Sequence, residues 1–437
     1  MSMAQSSTLR NSVPPFVILF FLVYIFSSDY SMNCFPDFGN YKRIGVVSAE
    51  ELSLDDPSRR LIIVGDIHGM KSSLDDLLNQ VSYNKDKDTL IHLGDITAKG
   101  PHSGSLSVLS FLGTHNITGV RGNHDQMVIE WRAWLNWIET LEAGAGSRWL
   151  LDLEVKWENA NLGGELEDDS DDHKWWSRIP RGWKLFSDHY LIARAIGKSD
   201  YDYLLSLPLV LHLPSEHVFL VHAGLLPYDP TLPIASKRQP LAHLPKLPLD
   251  VREDSISALR NAQELSILDD IKQNNNPWVL LNIRNLRKDN TVSRKTGKGK
   301  PWAEVWDGAM SRCAGFESTV QGTGGSFPCH PSTVIYGHTA SRGLDIHRWT
   351  MGLDTGCVYG RKLTALVLDS GHSRRGTLLP GAYEGHALGV RDDDDDEDDG
   401  GESVKSNPAT VPFGDGGQAR LVSVECRTPK GQEHRSA

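Results

Sequence analysis

What most constrains this chain is a series of five short apolar runs, each closed by residues able to bind a metal. Leu61–Val64 leads into Asp66-Ile67-His68-Gly69, Leu90–Leu93 into Gly94-Asp95, and Ile117–Val120 into Arg121-Gly122-Asn123-His124-Asp125. Val218–Val221 precedes His222-Ala223-Gly224, and Thr333–Tyr336 precedes Gly337-His338-Thr339. Short runs rich in Ile, Val and Leu and bounded by turn residues read as buried strands. A single Asp or His at a strand end is ordinary turn chemistry. Five in series carry more weight, because open α/β sheets bind ligands where strands feed their loops. Asp, His and Asn also supply the oxygen and nitrogen donors of divalent ions.

Between these runs the spacing predicts helices, which makes the catalytic region an α/β domain. Leu74, Leu77, Leu78 and Val81 fall at i, i+3, i+4 and i+7, an amphipathic helix over Met70–Val81. Further helices are expected at Leu106–Leu112, Met127–Leu141 and Asp254–Lys272, and a closing strand at Leu363–Leu368. Trp131, Trp134 and Trp137 read as helix-packing residues. Pro227–Asp250 is Pro-rich and irregular, and Asn159–Asp172 reads as an acidic surface insertion. The expected organisation is an N-terminal stub and anchor over 1–30, a polar linker over 31–60, a catalytic domain with insertions over 61–370, and an unstructured acidic tail over 371–437.

The segments GDIHG, GD-x-x-x-K-G, RGNHD, HAG and GH resemble the calcineurin-like metallophosphoesterase superfamily. Within it they are similar to the branch of phosphoprotein phosphatases and symmetrical diadenosine tetraphosphatases, and Leu353–Gly360 resembles a closing strand region of the tetraphosphatase group. An apolar N-terminus before such a domain resembles the fungal vacuolar endopolyphosphatase type. The resemblance implies a four-layer sandwich of two mixed β-sheets flanked by helices. It implies two divalent metal ions, with Asp66 and His68 on the first, Asp95 bridging, and Asn123, His222 and His338 on the second. An oxygen and nitrogen donor set fits Zn, Mn, Co or Fe alike.

His124 shares a tight loop with Asn123 and is the natural general acid, because imidazole titrates near neutral pH. The resemblance implies that Lys99 and Arg121 grip phosphate. One departure stands out: where phosphoprotein phosphatases carry an Asp that orients the catalytic His, this chain has Ala98, as the tetraphosphatase group does. What orients His124 is left open, with the adjacent Asp125 as one candidate.

The implied activity is hydrolysis of phosphoanhydride bonds. Inorganic polyphosphate is the preferred substrate, and dinucleoside tetraphosphates or Ser/Thr phosphoproteins are the alternatives. A non-catalytic lumenal scaffold would usually lack one of the seven core positions, and none is missing. The net charge of −11 is uneven. Asp392–Asp399 is uniformly acidic and reads as a solvated, self-repelling run. By contrast, Arg284, Arg287, Lys288, Arg294, Lys295, Lys298 and Lys300 crowd the loop Asn282–Lys300. That loop is either a solvated surface segment or the holder of a polyanionic phosphate substrate. No nucleic-acid partner is expected.

Val13–Phe26 is almost unbroken apolar sequence, short for a full span, with Arg10 before it and Asp29 and Asp37 after it. It reads as a signal anchor that puts the catalytic domain in a lumen, a vacuole or other endomembrane compartment, by the positive-inside bias. The alternatives are a cleaved signal and secretion, or an incidental apolar tail. Cys313 and Cys329 are either a bridge formed in that lumen or two unrelated thiols.

Overall fold

Leu61, Ile62, Ile63 and Val64 are all at most 1% exposed, so both faces of their strand are covered and the run is apolar throughout rather than alternating. The computed structural model describes residues 35–161, 173–247, 256–318, 325–369 and 409–427. The anchor over 1–30, residues 162–172 of the acidic insertion and the run Asp392–Asp399 lie outside these. Among the described residues no helix is long and apolar enough to cross a membrane.

The contacts divide the chain into two units, Met1–Phe38 with Ile138–Lys184 and Gly39–Trp137 with Leu185–Ala437. In the first, the helix Ala145–Asn161 presents Trp149, which stacks on Trp175 at 5.9 Å. Lys174 pairs with Glu142 in the same unit.

The second unit is built on two six-stranded mixed sheets. One runs Ala409–Phe413, Gly417–Glu425, Lys362–Asp369, Arg60–Val64, Asp88–His92, Thr118–Gly119. Its last three strands are parallel and the others antiparallel. The other runs Lys42–Val46, Pro208–Leu213, Val218–Val221, Thr333–Tyr336, Thr350–Gly352, Asp345–Ile346. Leu61, Ile63, Ile91 and Leu93 of the first sheet share a core with Leu211, Leu220, Ile335 and Met351 of the second. The outer face of the second sheet, with Val210, Phe219 and Val221, packs on Ile267, Leu268, Leu280, Trp302 and Trp306 of three helices. The helix Lys71–Gln80 covers the first sheet on its far side. This is the four-layer arrangement of two mixed sheets flanked by helices.

Three expectations need correction. Lys42–Val46, assigned to a linker, is an edge strand pairing in parallel with Pro208–Leu213. Residues 409–427, assigned to an unstructured tail, supply two strands of the first sheet: Val411, Phe413, Ala419 and Leu421 are buried in the intersheet core, which is what orders them. The segment read as a basic loop contains short strands, because Asn285–Leu286 pairs with Val292–Ser293 and Lys300–Pro301 in a small antiparallel sheet.

Both disulfides of the described residues lie in this unit, Cys313–Cys329 and Cys357–Cys426. The first is the bridge that the sequence left open. The second ties the loop after Asp354 to the end of the C-terminal strand.

Candidate metal centre

Asp66, Asp95 and Asn123 follow strands of one sheet, and His222 and His338 follow strands of the other. The site therefore stands where the carboxyl ends of both sheets meet. Glycine is required at two of these turns by space alone. A Cβ on Gly122 would stand 2.2 Å from Asp95 Oδ1, and one on Gly337 would stand 2.0 Å from Asp66 Oδ1. His68, Asp95 and His338 take positive φ values of 46°, 47° and 71°, a conformation that side chains rarely adopt. Such backbone costs on the order of 1–3 kcal/mol per residue and clusters where function demands it.

The donor atoms form two overlapping groups, Asp66, His68 and Asp95 in one and Asp95, His222 and His338 in the other, all five side chains being buried. In the second group His222 Nε2 lies 3.1 Å from Asn123 Oδ1, 3.2 Å from His338 Nδ1 and 3.4 Å from Asp95 Oδ1. In the first, His68 Nε2 lies 3.6 Å from Asp95 Oδ2 and 4.0 Å from Asp66 Oδ2. His222 Nδ1 donates to the Leu93 carbonyl at 2.9 Å, and His68 Nδ1 faces the Thr97 carbonyl at 3.3 Å. Those bonds fix the tautomers, so lone pairs, not hydrogens, converge on each centre. Atoms bound about 2.0–2.2 Å from one cation stand about 3.0–3.5 Å apart. The donor set fits a pair of divalent cations with Asp95 shared between them.

Electrostatics point the same way. Burial, with Asp354 and Asp95 close by, pushes the Asp66 carboxyl well above its ordinary value. Burial would raise Asp95 too, but His222, His124 and His68 outweigh it and hold that carboxyl well below the usual range. Burial, reinforced by His222, pushes His338 well down. Buried carboxylates and imidazoles in this arrangement need positive charge between them.

The remaining sequence candidates divide. Lys99 lines the cavity over the site, at positive φ, while its backbone N–H donates to Asp188 Oδ2. His124 stands beside the centre, its ring 5.4 Å from that of His68 and its backbone N–H donating to Asp95 Oδ1 at 2.9 Å. Arg121 does not face the cavity. It is fully buried and its guanidinium donates to the carbonyls of Asn40 and Leu205 and to Gln126 Oε1, so it ties chain segments together instead of gripping phosphate. Asp125 accepts from the N–H groups of Ile96, Thr97 and Gly122 and thus braces the two ligand loops against each other. Both of its oxygens are engaged there, and His124 Nδ1 instead faces His189.

Two residues, Arg361 and His189, were missed from sequence. Arg284 and Arg361 line the cavity with Lys99, Arg294 and Lys295, five cations against the one carboxylate of Asp354. The cavity holds about 440 Å³ and is floored by His68 and His338. Arg284 donates to the carbonyls of His338 and Arg294, which ties the basic loop to a residue of the donor cluster. His189 meets His124 directly, with 2.7 Å between His124 Nδ1 and His189 Nε2. An Arg inside a basic run carried a signal for Arg284; His189 and Arg361 carried none.

A two-sheet α/β fold with oxygen and nitrogen donors gathered at the strand ends of both sheets defines a candidate metal-binding α/β protein. The chain belongs to the calcineurin-like phosphoesterase family, whose model matches residues 59–282. Serine/threonine-protein phosphatase 1 of Salmonella typhimurium is 27% identical over 167 residues, 33% of this chain and 76% of that protein. The symmetrical bis(5'-nucleosyl)-tetraphosphatase of Ectopseudomonas mendocina is 28% identical over 333 residues, 72% of this chain and 97% of the other. The zinc-dependent endopolyphosphatase of Saccharomyces cerevisiae is 23% identical over 384 residues, 83% and 91% of the respective chains.

Proposed function

We propose that the protein is a binuclear metal-dependent hydrolase of phosphoanhydride bonds and that its substrate is inorganic polyphosphate. The observation that carries this is the cavity: five cationic side chains against one carboxylate, placed over two ligand groups that share Asp95. So concentrated a positive surface in a chain of net charge −11 suits a long polyanion better than a phosphoprotein.

Asp66 and His68 would hold one ion, Asn123, His222 and His338 the other, and Asp95 both. Such ions neutralise charge on phosphoryl oxygens and make water acidic enough to act as the nucleophile near neutral pH. Lys99, Arg284 and Arg361 hold the phosphoryl groups in register, the two arginines by paired N–H donors and Lys99 as a point charge. His124 supplies the acid. As the bond from phosphorus to the leaving oxygen breaks, that oxygen takes the proton from His124 Nε2. Burial pushes His124 well below its ordinary value. Phosphate oxygens arriving beside it favour the protonated ring again.

Tyr359 favours a second reading. It is 52% exposed on the cavity wall, where it offers a ring face on which the base of a dinucleoside tetraphosphate can stack. The proposed compartment is an oxidising, vacuole-like lumen, with the N-terminal apolar segment as anchor, a reading supported by two disulfides. Alkaline carbonate extraction and protease protection in sealed vesicles test the anchor and its orientation.

For the substrate, purified enzyme shortens long-chain polyphosphate on a gel. Arg294→Gln with Lys295→Gln raises KM for the long chain more than for p-nitrophenyl phosphate. Efficient dephosphorylation of phosphopeptides with polyphosphate left intact would overturn the assignment, and preferential cleavage of diadenosine tetraphosphate would select the second reading.

A further inference from the structure

His124 Nδ1 and His189 Nε2 stand 2.7 Å apart, and their rings are nearly parallel, at 17°. At that separation one nitrogen carries a hydrogen and the other a lone pair. Among the described residues, His124 makes no other side-chain hydrogen bond, so its Nε2 is the nitrogen left for chemistry. For Nε2 to hold a proton for the leaving oxygen, Nδ1 must carry its own hydrogen and donate it. His189 Nε2 is the acceptor in place.

The two rings are brought together by helices that are themselves locked. His124 lies in the first turn of the helix Asn123–Thr140, and His189 in the first turn of Asp188–Ala195. Trp131, one face further along the first helix, meets Tyr190 of the second edge-to-face at 5.2 Å, both rings buried. Arg132 donates to the Ala193 carbonyl at 3.2 Å. At the other end Asp188 accepts the backbone N–H of Lys99, on the loop that also carries Asp95. One short helix thus touches both the candidate acid and a cationic loop of the cavity. Ala98, with no polar side chain, cannot serve His124 from that loop, and Asp125 is committed to backbone amides.

We propose that His189 is the positioning residue of the acid step: it accepts the Nδ1–H of His124, fixes that ring's tautomer and plane, and so presents a protonated Nε2 to the leaving oxygen. The inference rests on the reading of His124 as general acid. No bond forms or breaks at His189; the transferred proton leaves His124 Nε2 for the oxygen released from phosphorus and is regained from water. Holding an imidazole in its working tautomer is worth orders of magnitude in enzymes that depend on one.

The experiment compares phenyl phosphate, whose leaving oxygen needs protonation, with p-nitrophenyl phosphate, whose leaving group needs it less. His124→Ala, His189→Ala and His189→Gln are measured on both, with metal content and melting temperature for each protein. His189→Ala lowers kcat on phenyl phosphate at least about tenfold more than on p-nitrophenyl phosphate, with KM and metal content little changed, a part of the ~10²–10⁴ typical of general acid catalysis. His189→Gln, whose amide oxygen accepts a hydrogen bond, recovers part of that difference. The double variant His124→Ala/His189→Ala is no slower than His124→Ala alone. Should His189→Ala unfold, His189→Leu fills the space without an acceptor and carries the same comparison. Equal losses on both esters in His189→Ala, while His124→Ala still discriminates between them, would overturn the proposal and leave the acid intact. No discrimination in His124→Ala would instead remove the acid assignment, and the proposal with it.

Discussion

Replacing Gly337 with Ala adds one methyl group, and its consequence can be worked from the geometry. The new Cβ would stand 2.0 Å from Asp66 Oδ1 and 3.1 Å from Asp66 Cγ, whereas real Cβ atoms essentially never approach within 3.0 Å. Either the carboxylate or the strand end must retreat by about 1 Å, the shortfall between those two distances. The strand Thr333–Tyr336 is fully buried and paired on both sides, so the carboxylate gives way. Asp66 then loses the two 3.1 Å hydrogen bonds from the His338 N–H, and a ligand that needs a bond of about 2.0–2.2 Å leaves its ion. Misplacement by 1 Å costs roughly 10²-fold in rate, and the lost hydrogen bonds about 1–3 kcal/mol. Gly337→Ala should therefore bind fewer than two metals by elemental analysis, turn over p-nitrophenyl phosphate about a hundredfold more slowly, and melt only a few degrees lower. A variant with full metal content and undiminished turnover would refute this account of the turn.

The Cys357–Cys426 bridge closes a loop across a separation of 69 residues, so Cys357→Ser/Cys426→Ser should cost about 4 kcal/mol in denaturant unfolding by the chain-entropy relation. Cys313→Ser/Cys329→Ser, across 16 residues, should cost about 3; identical unfolding of reduced and oxidised protein would contradict both. His92 is buried, accepts from the Gly94 N–H and faces Tyr203 Oη, and burial with the nearby His222 pushes its imidazole down to about 3. The unfolded chain takes up this proton near pH 6.5 while the folded one does not. Stability is thus fully present above pH 6.5 and falls by about 1.4 kcal/mol per pH unit as pH drops toward 3. His92→Gln should flatten that part of the profile between pH 6.5 and 4.5, and unchanged slopes in chemical unfolding would count against it.

How much of this was legible in the sequence depends on how local each cause is. Asp66, His68, Asp95, Asn123, His222 and His338 are set by a strand, a glycine and a turn within a few residues, so their convergence could be read from motifs alone. Arg121 sits in one of those motifs, yet its partners Asn40 and Leu205 lie 81 and 84 residues away, and they decide that it is structural. His189, 65 residues from His124, has no motif around it to announce the contact. The C-terminal strands follow a long polar stretch, and only pairing with Lys362–Asp369 gives their apolar residues a core to enter. The two-residue strands of the basic loop are too short for any periodicity to show. The partner of Cys357 is likewise unreadable, because cysteine spacing does not dictate pairing.

The proposed joining of two metal ions by Asp95 is what the hydrolytic site depends on most. Its most direct test is elemental analysis of the wild type and Asp95→Asn, each paired with polyphosphate hydrolysis before and after chelation. Wild-type protein should hold about two ions per chain, lose activity on chelation and regain it with Zn, Mn or Co. Asp95→Asn should hold fewer ions and be slower by several orders of magnitude whatever metal is added. Wild-type protein that stays fully active after its metals are removed, or an Asp95→Asn variant with two ions and normal turnover, would contradict it.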